Sequence, residues 1–434
     1  MDTLFASTLL VLGLLGVLLV SSVWVGTALF LVGLAGFYFF LDLPLGTILA
    51  NVAWNSTSGA TMFALPLFVW MGEILFRSRI SENLFTGLAP WLDAIPGRLI
   101  HVNVFASAIF AAVSGSSAAT TATVGKITLP ELFKRGYDRT LAIGSLAGSG
   151  TLGFMIPPSM MMLVYGILAD VSIGKLFIAG VIPGLMIALM FSAYIMFVSI
   201  KNPNVAPRAQ SSYTWGDRIR AIPKIAPAVI LVIIVLGSIY TGWATPTEAA
   251  AVGVVGSLFF AWLMKSLDRR VFKEALIGAV KTSCMIMWIV CGATFFSVAV
   301  GYLGITQGIA QYVSSLGLSR YTLIAILSVM YLVLGCLVDG FSMIVMSLPI
   351  TLPLVKMAGF DPIWFGIYLV IMIQVAQITP PVGFNLFVIK GLIGDELTTI
   401  ARAALPFFIM LFIATALITV FPKLVLFLPS MMVR

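Results

Sequence analysis

Apolar residues along this chain come in long blocks, among them Leu9–Phe40, Ile225–Tyr240 and Ala403–Leu428, and none alternates with polar residues as a half-buried strand would. Blocks of about 20 apolar residues match a hydrocarbon core of about 30 Å at a rise of about 1.5 Å per residue. The pattern predicts an all-α polytopic membrane protein. Two spans, near residues 4–20 and 23–41, open the chain almost back to back. Five more are expected at 140–169, 176–200, 224–241, 247–264 and 281–301. A soluble chain would need nearly every helix to be apolar all round.

Within this pattern lies a repeat at a constant spacing of 223 residues. Thr128-Leu129-Pro130 recurs as Thr351-Leu352-Pro353, Gly136-Tyr137-Asp138 as Gly359-Phe360-Asp361, Pro157-Pro158 as Pro380-Pro381, and Pro183 as Pro406. Membrane composition alone explains shared Leu and Val, but not matched prolines and aspartates. Five spans separate corresponding points. Five is odd, so the second copy is expected upside down, the inverted-repeat plan that places a solute near the midplane.

Each copy begins with two short apolar arms around a polar tip. In the first, Ile100–Val113 leads to Ser114-Gly115-Ser116-Ser117 and an arm ending near Leu132. In the second, Leu323–Val338 leads to Asp339-Gly340-Phe341-Ser342 and returns through Met343–Val355. Arms of roughly 15 residues reach only about 22 Å, too short to cross, so each pair reads as a re-entrant hairpin. Small-residue helix packing also explains the first tip. The second holds an aspartate at membrane depth, which is costly and by default functional. The repeat sets Asp339 opposite Ser116.

Each copy continues with a span broken by two prolines. Proline has no N–H and disfavours helix in the residue before it. Pro157-Pro158 therefore deprives Gly153 and Phe154 of their donors, and Pro380-Pro381 does the same to Ala376 and Gln377. Freed carbonyls are oxygen ligands for Na⁺. The half-helix that follows points its positive end into the same space, which suits a carboxylate. Thr379 before Pro380 has the form of an N-cap with proline at N1. A simple kink explains one such break, but not two matched ones that each follow a hairpin tip. Ser114, Ser116, Ser117, Ser149 and Thr151 are expected to complete an oxygen cage on the first side. Asp339, Gln377 and Thr379 are expected to do so on the second, with Asn385 one turn on to hydrogen-bond the solute.

Charge supplies the orientation. Only 9% of the residues are charged, with a net charge of +8. Lys and Arg concentrate in Arg77–Arg98, Lys126–Arg139, Lys201–Lys224 and Lys265–Lys281. The intervening loops, near 42–58, 170–174, 241–246 and 303–320, hold only Lys175 and Arg320 at their edges. This positive-inside asymmetry makes the basic clusters cytoplasmic, and without a basic-aromatic pattern it does not point to nucleic acid. Asp2 stands where a signal peptide would be positive. Cys284, Cys291 and Cys336 lie in apolar stretches without a CxxC spacing. His101, the single histidine, has no partners for a metal cluster and is expected at the membrane edge rather than beside a serine. No Walker A pattern exists for ATP-driven transport.

The chain resembles the large membrane subunit of the tripartite ATP-independent periplasmic (TRAP) transporters, of the dicarboxylate type, over essentially its whole length. The resemblance rests on Ser114-Gly115-Ser116-Ser117-Ala118-Ala119-Thr120, Gly150-Thr151-Leu152-Gly153 leading into Ile156-Pro157-Pro158-Ser159, and Thr245-Pro246-Thr247-Glu248. Asp339-Gly340 and Gln377-Ile378-Thr379-Pro380-Pro381-Val382-Gly383-Phe384-Asn385 complete it. It implies an elevator-type carrier in the bacterial inner membrane that imports a small organic acid with Na⁺ as coupling ion and no cofactor. It further implies a separate small membrane subunit of about four spans, a periplasmic solute-binding protein, surrounding membrane lipid and no nucleic acid.

Sodium would then be held around Ser114, Ser116, Ser117, Gly150, Thr151, Gly153 and Ile156 in one copy. Asp339, Gly340, Gln377 and Thr379 would hold it in the other. The solute would meet Ser117, Thr120, Pro158, Ser159, Phe341, Ser342, Pro381 and Asn385. Pro157, Pro380 and the Thr245/Glu248 capping box read as structural. The expected organisation is scaffold spans at 1–98, transport repeat one at 99–200, central scaffold spans at 201–280, and a scaffold span plus transport repeat two at 281–434. Scarce deep carboxylates favour Na⁺ over H⁺, although Asp339 and Glu73 leave a proton role open. The rivals are a stand-alone divalent-anion/Na⁺ symporter of similar fold, an intramembrane protease and a channel.

Overall fold

The computed structural model describes residues 2–207, 213–381 and 383–432, and Val382 of the second proline motif lies outside them. The described residues form helices and no strand. The opening spans are α1 (Asp2–Val20) and α2 (Val25–Phe40). The segment expected as a loop at 42–58 is instead mostly helix, α3 (Leu45–Ser58). Leu45, Ile48, Leu49 and Val52 recur at helical spacing and pack with Phe37 and Phe295, so tertiary burial, not charge, decides its state. A 3₁₀ turn at Ala60–Phe63 leads into α4 (Ala64–Arg77), and α5 (Ile80–Leu92) follows.

The first hairpin is α6 (Ile100–Ser114) and α7 (Ser117–Lys134), and the first broken span is α8 (Arg139–Gly150) with a 3₁₀ end at Thr151–Phe154, then α9 (Met160–Leu168). The long α10 (Ile173–Lys201) closes this copy. The second copy runs α11 (Trp215–Tyr240), α12 (Pro246–Leu263), α13 (Arg269–Tyr302) and α14 (Ile305–Ser315). Its hairpin is α15 (Arg320–Gly335) and α16 (Gly340–Met357); α17 (Pro362–Gln377), α18 (Phe384–Ile393), α19 (Leu397–Val420) and α20 (Lys423–Met431) follow.

The duplication covers far more than four landmarks. At the same spacing α7 falls on α16, α8 with its 3₁₀ end on α17, α10 on α19, α5 on α14 and α2 on α12. Among the contacts between the copies is a pair of equivalent residues, the Thr151 hydroxyl lying 3.1 Å from Gln374 Oε1. Both are fully buried.

Three expectations need correction. The 303–320 loop contains α14, held to the core by Ile305, Ile309 and Val313 at i, i+4 spacing. The span expected at 281–301 begins at Arg269, because Asp268 caps it (its carboxylate accepts from Val271 N–H at 2.6 Å) and charged first turns carry it beyond the apolar slab. The returning hairpin arms α7 and α16 run 18 residues each. By length and composition α16 counts among seven helices of the described residues able to cross a membrane. It packs back on α15 as α7 packs on α6.

The stretch that breaks at Gly59 between α3 and α4 is unbroken in the second copy, within α13. His101 is also not as expected. It is fully buried, with Nε2 2.7 Å from the Pro96 carbonyl and Nδ1 2.8 Å from Ser192 Oγ. It does lie beside a serine, but its other nitrogen meets a carbonyl rather than an orienting acid, and the contacts tie the hairpin base to α10.

Candidate functional site

Each hairpin turns on a residue that caps the returning arm. Gly115 adopts φ +60° as the C-cap of α6, and a Cβ there would sit 3.0 Å from the Pro158 carbonyl. Ser116 then caps α7, its hydroxyl accepting from Ala119 N–H at 3.4 Å, and its carbonyl accepts from the Thr120 hydroxyl at 2.7 Å. In the other copy Asp339 caps α16, one carboxylate oxygen accepting from Phe341 N–H at 3.1 Å and the other from the Ser342 hydroxyl. The expected equivalence of Ser116 and Asp339 is thus an equivalence of role. The tips are narrower than expected: Ser114 ends α6, and Ser117, Phe341 and Ser342 already belong to the returning helices.

The broken spans fold back toward these tips. Both Pro-Pro bonds, Pro157-Pro158 and Pro380-Pro381, are cis. A Cβ on Gly153 would lie 2.8 Å from the backbone of Ser116 and Ser117, so glycine is what lets the first break touch its tip. The helices restart later than the prolines. Ser159 caps α9 and Gly383 precedes α18. Thr379 is therefore no N-cap: its hydroxyl donates back to the Val375 carbonyl at 2.6 Å. Pro381 disfavours helix at Pro380, which pushes the helix start past the pair.

Two carbonyls expected to be free are re-engaged, Phe154 by the Ser159 hydroxyl at 2.6 Å and Ala376 by Thr379 N–H at 3.2 Å. The Thr245/Glu248 capping box forms as read, with Thr245 N–H 2.8 Å from Glu248 Oε2 and Glu248 N–H 3.3 Å from Thr245 Oγ1.

Between the tips lies a cavity of about 370 Å³. Ser114, Gly115 and Ser116 line it from the first tip, Asp339, Gly340 and Phe341 from the second, and Gln377 from the second break. The start of α9 (Met160, Met161) and the start of α18 (Phe384) also face it. Four helix N-termini, those of α7, α9, α16 and α18, thus converge on one space, two from each copy. The C-terminal ends at Ser114, Phe154 and Gln377 meet them there. Among the described residues no Lys or Arg lines the cavity.

The remaining candidates stand behind this wall. Ser117, Thr120, Thr151, Ser159, Ser342 and Asn385 are almost fully buried. Gly150, Ile156, Pro158, Thr379 and Pro381 are likewise absent from the lining, as are Pro157 and Pro380. Several of them brace it. Ser117 donates to Asn385 Oδ1 at 2.9 Å across the two copies, Thr120 bonds Ser114 at 3.1 Å, and Ser149 donates to Ser107 at 3.3 Å. The Asn385 amide nitrogen is buried with no hydrogen-bond partner among the described residues.

The sequence reading missed the cavity's other wall, formed by Val69, Gly72, Glu73 and Phe76 of α4 and by Thr282 and Met285 of α13. A Cβ on Gly72 would meet the Ser114 carbonyl oxygen at 2.8 Å, so α4 and the first tip touch backbone to backbone. Glu73, a carboxylate inside an apolar block, was the readable signal.

The family model described as "Tripartite ATP-independent periplasmic transporter, DctM component" matches residues 12–424. The C4-dicarboxylate TRAP transporter large permease protein of Pseudomonas aeruginosa is 35% identical over 385 residues, covering 88% of this chain and 89% of the relative. The sialic acid TRAP transporter large permease protein of Vibrio cholerae is 31% identical, covering 97% and 98%. The isethionate TRAP transporter permease protein of Oleidesulfovibrio alaskensis is 32% identical, covering 94% of this chain and 64% of that longer relative. The crystal structure of the Alcanivorax borkumensis YdaH transporter shares the fold, with a TM-score of 0.66 at 11% identity over 87% of this chain and 88% of that one. With paired tips, paired breaks and a family match over nearly its whole length, the chain belongs to the DctM family, the large permease components of TRAP transporters.

Proposed function

We propose that this permease imports a small organic acid by secondary active transport coupled to Na⁺, moving its hairpins and broken spans against a scaffold of the remaining helices. As a member of its family it is a multi-pass protein of the bacterial inner membrane and not an enzyme. The observation that carries the solute class is the convergence of four helix N-termini on a cavity without Lys or Arg. Helix N-termini favour anions, and relatives are named for C4-dicarboxylates, sialic acid and isethionate, all acids. At the same tips, the carboxylate of Asp339, the hydroxyls of Ser114 and Ser116 and the neighbouring helix C-termini are hard oxygen donors, which suit Na⁺. The solute is expected to carry its charge toward the N-termini while Na⁺ neutralises the acceptors.

A separate small membrane subunit and a periplasmic solute-binding protein complete the assembly in this reading. The test is uptake of labelled acids into liposomes holding the chain and its small subunit, with and without an inward Na⁺ gradient and the binding protein. Uptake that needs both supports the reading. Uptake that needs Na⁺ alone identifies a stand-alone symporter, and uptake indifferent to Na⁺ overturns the coupling.

A further inference from the structure

Among the described residues, Glu73 is the only charged one besides Asp339 that lines the tip cavity, and it belongs to the α4 wall rather than to a hairpin. Its carboxylate accepts from Arg77 Nε at 3.1 Å, and the same guanidinium reaches Glu274 at 3.0 Å. Arg77 thus bridges two carboxylates, and Glu274 is paired with Arg270 as well at 2.8 Å, while Arg77 is the one cation paired with Glu73 among the described residues. A Cβ on Gly278 of α13 would lie 2.5 Å from Glu73 Oε2, so a glycine makes room for the carboxylate against the facing helix. Arg77 and Glu274 belong to the basic clusters that mark the cytoplasmic side, so Glu73 stands at that side of the cavity.

The duplication shows that this carboxylate is one-sided. At the common spacing Glu73 corresponds to Phe296, which is buried and apolar. The wall residues Thr282 and Met285 correspond to Gly59 and Met62, and these line a second cavity of about 440 Å³, between the 3₁₀ turn before α4, α13 and α16. An inverted duplication presents equivalent walls to opposite membrane faces, and only the cytoplasmic one carries a carboxylate.

We propose that Glu73 is a release residue: it faces the bound acid with a like charge only when the cavity opens to the cytoplasm, and so lowers affinity on that side alone. This rests on the reading of the solute as an anion. Like charges on opposite walls of a cavity this size stand about 8 Å apart. With partial neutralisation by Arg77, removing one is worth about fivefold in affinity for a singly charged solute, and more for a doubly charged one.

Two readouts test this in liposomes containing the chain with its small subunit. The first needs no knowledge of the solute. With the native cysteines replaced by serine and Ala119→Cys placed in the cavity wall, cytoplasmic-side labelling rates are compared for a trimethylammonium and a sulfonate methanethiosulfonate. Glu73→Gln, which keeps the shape and an acceptor for Arg77, should lower the cation-to-anion rate ratio about tenfold. Thr282→Asp, on the same wall, should raise it, and keeps the idea testable if Glu73→Gln fails to fold. In the second, the concentration of the imported acid that gives half-maximal flux is measured from each face. Glu73→Gln should lower the cytoplasmic-side value about fivefold and leave the periplasmic-side value unchanged. An unchanged labelling ratio, or equal shifts on both faces, overturns the proposal. Failure of the unsubstituted protein to import any acid would instead overturn the solute class.

Discussion

Asp339 allows charge and helix capping to be separated. Its carboxylate caps α16 and faces the tip cavity. Asp339→Asn keeps a capping oxygen for Phe341 N–H, removes the charge, and turns the Ser342 contact round so that the hydroxyl accepts from the Asn amide. A unit charge about 5 Å from Na⁺, at an effective dielectric of about 20 to 40, is worth about 2 to 3 kcal/mol. The Na⁺ concentration for half-maximal uptake should therefore rise by roughly thirty- to two-hundredfold, while the melting temperature without Na⁺ stays within a degree or two. Asp339→Ala should show the same Na⁺ defect and additionally lose about 1 kcal/mol of capping. The assay is Na⁺ titration of uptake alongside thermal melting in detergent with and without Na⁺. An Asp339→Asn protein with unchanged Na⁺ dependence would refute the placement of an ion at the second tip.

Other substitutions separate packing from binding. Gly72→Val places a side chain against the Ser114 backbone, 2.8 Å away at the Cβ alone, and should cut uptake at least tenfold in a protein that still purifies as a folded monodisperse species; normal uptake would show that the tip does not need this contact. Ser117→Ala strips Asn385 of its cross-copy partner and should cost about 1 to 3 kcal/mol in melting experiments; Ser117→Ala with Asn385→Leu should recover stability without recovering transport. Thr245→Ala breaks the capping box of α12 and should cost about 1 kcal/mol with uptake unchanged, since neither Thr245 nor Glu248 approaches the cavity.

Much of the architecture was readable because membrane burial enforces simple rules. Backbone groups in lipid must bond internally, so apolar blocks had to be helices, and paired prolines and polar tips had to mark interruptions. The repeat was visible where its markers are chemically rare, such as Pro-Pro and Asp. It was hidden where the copies share no identical residue at the common spacing, as between α5 and α14. The segments at 42–58 and 303–320 read as loops because they hold no Lys or Arg except Arg320 at an edge, whereas their helices are set by contacts with distant residues, Phe295 for α3. At the site, the tips and breaks were legible but the division between lining and bracing was not. Ser117, Thr120 and Ser342 lie one to four residues into helices whose rotation turns them away from the cavity, and that rotation depends on three-dimensional packing. The α4 and α13 wall was invisible for the same reason, except for the charge of Glu73.

The most direct test of a single cavity shared by the two copies is Na⁺ protection at both tips. Ala119→Cys on the first hairpin and Phe341→Cys on the second, each in a background with Cys284, Cys291 and Cys336 replaced by serine, would be labelled with a membrane-impermeant maleimide across a Na⁺ titration. If both tips close over one ion and solute site, the two cysteines are protected together, with the same half-saturating Na⁺ concentration. Protection of one cysteine while the other stays indifferent to Na⁺ would contradict the shared site.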